Sequence, residues 1–294
     1  MGEIAFLFPG QGSQFVGMGE EIREDPRVVT LYEKANEVLD KDISELMLKG
    51  PSAELDSTRN AQPAIFTDSL ARYRILRDEG QEPDCVLGHS LGEFSALAAA
   101  GCLTFEDGLR IVKKRGELTS NVDVEGSMVA VMGASYTEVE GVIEEMNDSV
   151  TVANHNSPRQ VVISGREEEL EESCDKLSKE GAKCIKLDVT GPFHSSFMKE
   201  AERELKNYIR GFSFSDPEFP VLSGVSGSFE EDGNRLKELL SRQMTQPVKW
   251  VDYIRLLGKT GIGKTIEVGP DATLTRLTGR ILPEMQSLEF EEVI

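Results

Sequence analysis

The 294-residue sequence has only three histidines, four cysteines and one tryptophan, and its 32 basic residues are outnumbered by 52 acidic ones. Each scarcity excludes something. A formal net charge of −20 repels phosphate backbones, which argues against nucleic acid as a general partner. Cys85, Cys102, Cys174 and Cys184 form no CxxC pair and sit at no metal-ligand spacing from a histidine. That is the pattern of reduced thiols in a cytoplasmic protein, with no metal implied. No apolar run approaches the roughly 20 residues that a membrane span needs, so no membrane association is expected. The segment from Met1 to Phe8 carries Glu3 in a very short apolar run and reads as a first strand rather than a signal peptide. Phe6 breaks the N-myristoylation pattern. A composition of 39% hydrophobic and 29% charged residues is that of an ordinary globular chain. Its length suits one large core and a smaller second unit.

Against that background one stretch stands out, Cys85 to Gly101, "CVLGHSLGEFSALAAAG". A short apolar strand stops at Gly88-His89-Ser90-Leu91-Gly92, and a helix of small apolar residues follows. Glycines two before and two after a serine permit the tight strand-to-helix turn of a nucleophile elbow. The helix would aim free N–H groups and a partial positive charge at Ser90, favouring an oxyanion there.

The flanking pattern predicts an α/β fold with a parallel sheet. Ile4–Phe8 and Cys85–Leu87 read as strands; Pro26–Leu39, Asp42–Leu48, Ala64–Asp78 and Gly92–Ala100 read as helices. From Ser127 the order becomes βαββαβ up to about Val189, the split arrangement of a ferredoxin-like unit. Segments after Ser195 resume the first pattern. The expected division is a core of residues 1–125 and 191–294 with residues 126–190 inserted as a small subdomain.

Two tempting motifs fail on context. Gly258 to Thr265, "GKTGIGKT", matches the phosphate-loop letters, but a helix precedes it and a strand follows, which inverts the required topology. Gly10-Gln11-Gly12 follows the first strand, yet Phe15 stands where a dinucleotide loop needs its third glycine.

A nucleophilic serine needs a base. His89 adjoins Ser90 and would point away from it; His155, between Asn154 and Asn156, reads as a turn residue. His194, in "TGPFHSSFM" where the chain re-enters the core, is the favoured base. Arg115 shares a helix face with Ile111, Val112 and Leu118, whereas Arg110, Lys113 and Lys114 point elsewhere. A guanidinium on an apolar face needs an anion, supplied either by a structural salt bridge or by a ligand.

Taken together, "FLFPGQGSQFVGMG", "GHSLGEFSALAAAG", "KKRGEL", "VANHNSPRQVVISG", "PFHSSFM" and "IEVGP" resemble, in order along the whole chain, the signatures of malonyl-CoA:acyl carrier protein transacylases. The length is that of the stand-alone bacterial enzyme. The resemblance implies an α/β-hydrolase-like core with a ferredoxin-like insertion, and malonyl transfer from malonyl-CoA to acyl carrier protein for fatty-acid synthesis, without a cofactor. It places the nucleophile at Ser90, the base at His194 and the oxyanion hole at the backbone N–H groups of Gln11 and Leu91. It places the malonyl carboxylate on Arg115, and Gln62 close to the acyl pocket. It orients His194 through a backbone carbonyl at Gln243 in "SRQMTQPVKW". Phe193 matches the malonyl-selective form of its motif, whereas Thr119 stands where many relatives have methionine.

Two rivals share these features. A serine hydrolase or thioesterase would use the same elbow, though it would usually want an acidic residue on His194. A non-catalytic carrier-binding scaffold would need neither Ser90 nor His194. Carrier proteins are typically acidic, so a chain of this charge must attract one through local cations. Arg110, Lys113 and Lys114, then Arg276 and Arg280, and Lys199 are the candidate sets.

Overall fold

The computed structural model describes residues 3–122, 124–146, 149–189 and 191–294. Strand β1 (Glu3–Phe8) leads into a loop and then four helices, α1 (Pro26–Leu39), α2 (Ile43–Lys49), α3 (Ser52–Leu55) and α4 (Thr58–Asp78). Strand β2 (Cys85–Gly88) is followed directly by α5 (Gly92–Ala99) and then α6 (Phe105–Ser120). The inserted unit runs β3 (Gly126–Met132), α7 (Tyr136–Ile143), β4 (Val150–Ser157), β5 (Gln160–Arg166), α8 (Glu167–Lys179) and β6 (Lys183–Lys186). The chain then returns through α9 (Lys199–Ile209), β7 (Val221–Leu222), β8 (Phe229–Glu230) and α10 (Gly233–Leu240). It ends on α11 (Trp250–Lys259), β9 (Ile262–Glu267), α12 (Thr273–Ile281) and β10 (Gln286–Leu288).

Six strands form the larger sheet in the order β10-β9-β1-β2-β7-β8, parallel except for β8. Alternation along β1 serves two cores, as expected of a parallel strand covered on both faces. Phe6 and Phe8 enter the cluster formed with α1, α4, α5 and α6, while Ala5 and Leu7 enter the one formed with α11 and α12. The loops after β1 and β2 therefore emerge side by side at the carboxyl end of the sheet, where α/β folds place their ligands.

The inserted unit is an antiparallel sheet in the order β4-β5-β3-β6. One face packs Val129, Val131, Val161 and Ile163 under α7 and α8. The other carries Met128, Ala130, Ala153 and Val162, with Phe193 packed against them. Its edge strand β4 is tied to the larger unit by His155 N–H to the Val248 carbonyl and Val248 N–H to the Ala153 carbonyl, both 2.8 Å.

Three expectations shift. Helix α4 starts at Thr58, not Ala64, and runs through Pro63. Pro63 is the sixth residue of the helix, past the first turn where a missing N–H costs nothing, so the helix continues without the N–H that would have bonded the Arg59 carbonyl. His155 lies inside β4 rather than in a turn, because Asn154 pairs with Val162 and His155 with Val161. The two- and three-residue strands β7, β8 and β10 have no periodicity of their own to reveal them.

Candidate active site

The site grows out of three glycines. A Cβ on Gly88 would lie 1.9 Å from the Gly92 carbonyl carbon; one on Gly92 would lie 1.9 Å from the Phe8 carbonyl oxygen. One on Gly10 would meet the His89 carbonyl oxygen at 2.5 Å. Without side chains at these positions, the end of β1, the turn after β2 and the first turn of α5 are in backbone contact. Ser90, at the apex, is held at φ 54° in the left-handed region that residues other than glycine seldom adopt. This is the geometry of a nucleophile elbow.

Ser90 Oγ lies 2.7 Å from His194 Nε2. His194 also has a left-handed backbone, at φ 55°, and Ser195 Oγ donates to the Pro192 carbonyl to close its loop. The ring's Nδ1 is 2.8 Å from the Gln246 carbonyl oxygen. A carbonyl can only accept, so Nδ1 carries the proton and Nε2 presents a lone pair to the Ser90 hydroxyl. Burial, then the nearby Arg115 charge, depress the His194 pKa to about 3, opposed by the Gln246 carbonyl. The ring is held neutral and ready to accept a proton.

The nearer orienting carbonyl is therefore that of Gln246, where Gln243 was expected. The Gln243 carbonyl, which also accepts the Gln246 N–H at 3.1 Å, bears on the ring as the weaker of two backbone acceptors. Gln243 serves through its side chain as well. Its Nε2 donates to the Ser90 carbonyl at 2.7 Å and to Glu93 Oε2 at 2.8 Å, and its Oε1 accepts from Arg115 Nη2 at 3.3 Å.

Arg115 is only 4% exposed. Its Nη2 donates to Ser90 Oγ at 3.1 Å, its guanidinium lies 5.4 Å from the Phe94 ring centre, and its Nε has no partner among the described residues. No carboxylate among the described residues forms an ion pair with it, so the salt-bridge alternative fails. Burial lowers its pKa to about 10, partly offset by the charge of Glu93. A desolvated cation beside the serine, with an unused donor, is suited to an anionic acyl group.

Around this centre stand the other expected residues. The Gln11 and Leu91 amides donate to no acceptor among the described residues. Gln62, in α4, donates weakly to Gln11 Oε1 and Thr119 Oγ1, both 3.4 Å, and its own Oε1 has no partner among the described residues. Gly116 lets α6 approach the first turn of α4, because a Cβ there would come within 3.1 Å of the Thr58 carbonyl. Phe193 packs between the main core and the small sheet. His89 is a strut: its Nε2 lies 2.8 Å from Asn156 Oδ1 and its ring tilts against Trp250.

A cleft of about 400 Å³ opens beside Gln11 and His89, between the small sheet (Ala130, Val162) and α12, whose Arg276 and Arg280 line it. Ser90 and Arg115 do not line this cleft; it meets the site only at its edge. The "GKTGIGKT" stretch lies where α11 ends and β9 begins, in the order that disqualified it.

Glu93 was not among the expected residues. It is buried at 2% exposure, and a lone carboxylate in an otherwise small, apolar helix was the signal available.

The acyl transferase domain family matches this chain over residues 5–294. The chain is 39% identical over 299 residues to the malonyl CoA-acyl carrier protein transacylase of Bacillus subtilis, covering 99% of this chain and 94% of that protein. It belongs to the malonyl CoA-acyl carrier protein transacylase family. The transacylase of Coxiella burnetii superposes with a TM-score of 0.96 at 35% identity, covering 99% of this chain and 96% of the other. A malonyl-transacylase solved in complex with its type II polyketide acyl-carrier protein superposes at 0.93 and 35% identity, covering 97% of this chain and 94% of that one. Like these relatives, the transacylase chain is a mixed α/β protein built on a largely parallel sheet.

Proposed function

We propose that this chain transfers the malonyl group of malonyl-CoA to the phosphopantetheine thiol of acyl carrier protein through a malonyl ester on Ser90. The observation that carries this reading is Ser90 Oγ placed between His194 Nε2 and an Arg115 that has no ion-pair partner among the described residues. His194 takes the hydroxyl proton as Ser90 Oγ attacks the thioester carbonyl, and returns it to the departing CoA sulfur. The Gln11 and Leu91 amides receive the oxyanion, at about 3–4 kcal/mol for such a donor. In the second half the carrier thiol gives its proton to His194 and attacks the ester; the proton then returns to Ser90. Arg115 holds the malonyl carboxylate throughout, with Gln62 and Phe193 bounding the acyl pocket.

Residues 1–125 and 191–294 are read as an α/β-hydrolase-like catalytic core and residues 126–190 as a ferredoxin-like subdomain. The βαββαβ connectivity and the antiparallel order β4-β5-β3-β6 support the latter. The product supplies extender units for fatty-acid or polyketide assembly in the cytoplasm. A hydrolase fits less well, since it has no use for Arg115 and usually orients its histidine with an acid rather than a carbonyl. Incubation with labelled malonyl-CoA separates the two. The transferase keeps the label on protein until holo-carrier is added and then passes it on; release of free malonate without carrier would favour hydrolysis.

A further inference from the structure

Glu93 lies three residues beyond the nucleophile; its backbone N–H donates to the Ser90 carbonyl at 3.1 Å, and its carboxylate takes no step in the proposed mechanism. Its carboxylate is nevertheless fully engaged. Oε1 accepts from Ser223 Oγ and from the Gly224 N–H, both at 3.1 Å, and Oε2 accepts from Gln243 Nε2 at 2.8 Å. The second Nε2 hydrogen of Gln243 goes to the Ser90 carbonyl at 2.7 Å. With both amide hydrogens committed, only Oε1 can face Arg115.

We propose that Glu93 is a positioning residue, which locks the Gln243 amide in the orientation that presents its oxygen to Arg115 and thereby sets the preference for an acyl group bearing a carboxylate. The inference rests on the reading of Arg115 as the carboxylate-binding residue. The intervening glutamine explains why the acid does not simply pair with the arginine. Burial raises the Glu93 pKa, opposed by the Gln243 amide, the Gly224 N–H, Ser223 and the Arg115 charge, so the contacts that hold Gln243 also favour the carboxylate form, while the guanidinium stays free for substrate. A direct ion pair would occupy the donors that the malonyl carboxylate needs.

Glu93→Gln disrupts this arrangement in a definable way. The Gly224 N–H is a fixed donor and keeps the new amide oxygen on its own side, so the new NH2 turns toward Gln243. Gln243 must then either face it donor to donor, or flip and set its own NH2 against the Arg115 guanidinium. Both outcomes loosen Arg115 without removing it.

The test compares single-turnover acylation by malonyl-CoA and acetyl-CoA, with thermal unfolding as a folding control, for the wild type, E93Q, Q243L and R115A. R115A should abolish the malonyl-over-acetyl ratio, while E93Q and Q243L should lower it by about tenfold, the effect of one hydrogen bond to a charged group. A residue needed only for folding would depress both substrates alike. An unchanged ratio in E93Q, with the ratio lost in R115A, overturns the role of Glu93 and leaves that of Arg115 standing. An unchanged ratio in R115A overturns the reading of Arg115, and this inference with it. Should E93Q fail to fold, Q243L carries the same test, and an unchanged ratio there is equally decisive against the proposal.

Discussion

Lowering the pH separates the buried His194 from an ordinary histidine. With a pKa of about 3, about 99% of the ring is neutral at pH 5, whereas a group at the usual value near 6.5 would be about 3% neutral. The ring is buried, the Arg115 cation is close, and the Gln246 carbonyl only partly compensates. The second-order rate of Ser90 acylation at low malonyl-CoA reports the free enzyme. It should stay flat from pH 8 to pH 5, where an unperturbed base would lose about thirtyfold. The sign for stability follows from the same shift. Below about pH 6.5 the unfolded chain binds a proton that the folded one refuses until about pH 3. The contribution of His194 to folding is therefore intact above 6.5 and declines as pH falls through that window. Rapid-quench acylation across this range, read by intact-mass spectrometry, is the assay. A rate that titrates with a midpoint near 6.5 would refute the reasoning.

Two further outcomes can be checked with purified variants. Arg115→Ala should lose malonyl transfer by about 3–5 kcal/mol, the cost of stranding one partner of a desolvated ion pair, and acetyl transfer far less; equal losses in steady-state assays would make Arg115 purely structural. Arg276 and Arg280 line the cleft beside Gln11, so reversing both to Glu should raise the KM for carrier protein and weaken its salt dependence. An unchanged carrier KM at low salt would place docking elsewhere. Among the cationic candidates, Lys113 Nζ donates to the Leu39 carbonyl at 3.2 Å, while Arg110 pairs with Asp107 at 2.9 Å and Arg276 with Asp271 at 3.3 Å.

What the sequence revealed is what local chemistry encodes. The Gly88, Ser90 and Gly92 spacing announced a turn that only glycine can make, and the shortage of histidines singled out His194. The apolar face around Arg115 raised the question of its anion. The inserted unit was legible because its strands and helices each keep a clean period. What escaped depends on distant contacts. Gln246 rather than Gln243 supplies the nearer orienting carbonyl, with Gln243 the weaker of the two, and carbonyls three residues apart in one turn are not ranked by sequence. Helix α4 passes through Pro63, against the local rule that a proline opens or ends a helix. Strands β7 and β8 exist through their pairing, with β7 set against β2 and β8 completing the edge. The partners of Glu93, Ser223 and Gln243, lie 130 and 150 residues away, so the carboxylate's role is invisible until the chain is folded.

The central claim is that Ser90 carries the malonyl group. Peptide mapping by mass spectrometry after exposure to malonyl-CoA should find the adduct on the Ser90 peptide of the wild-type protein, discharged on adding holo-carrier. Ser90→Ala should unfold as cooperatively as the wild type and take up no malonyl group. A malonyl adduct that persists on the alanine variant, or maps to another residue, would contradict the account.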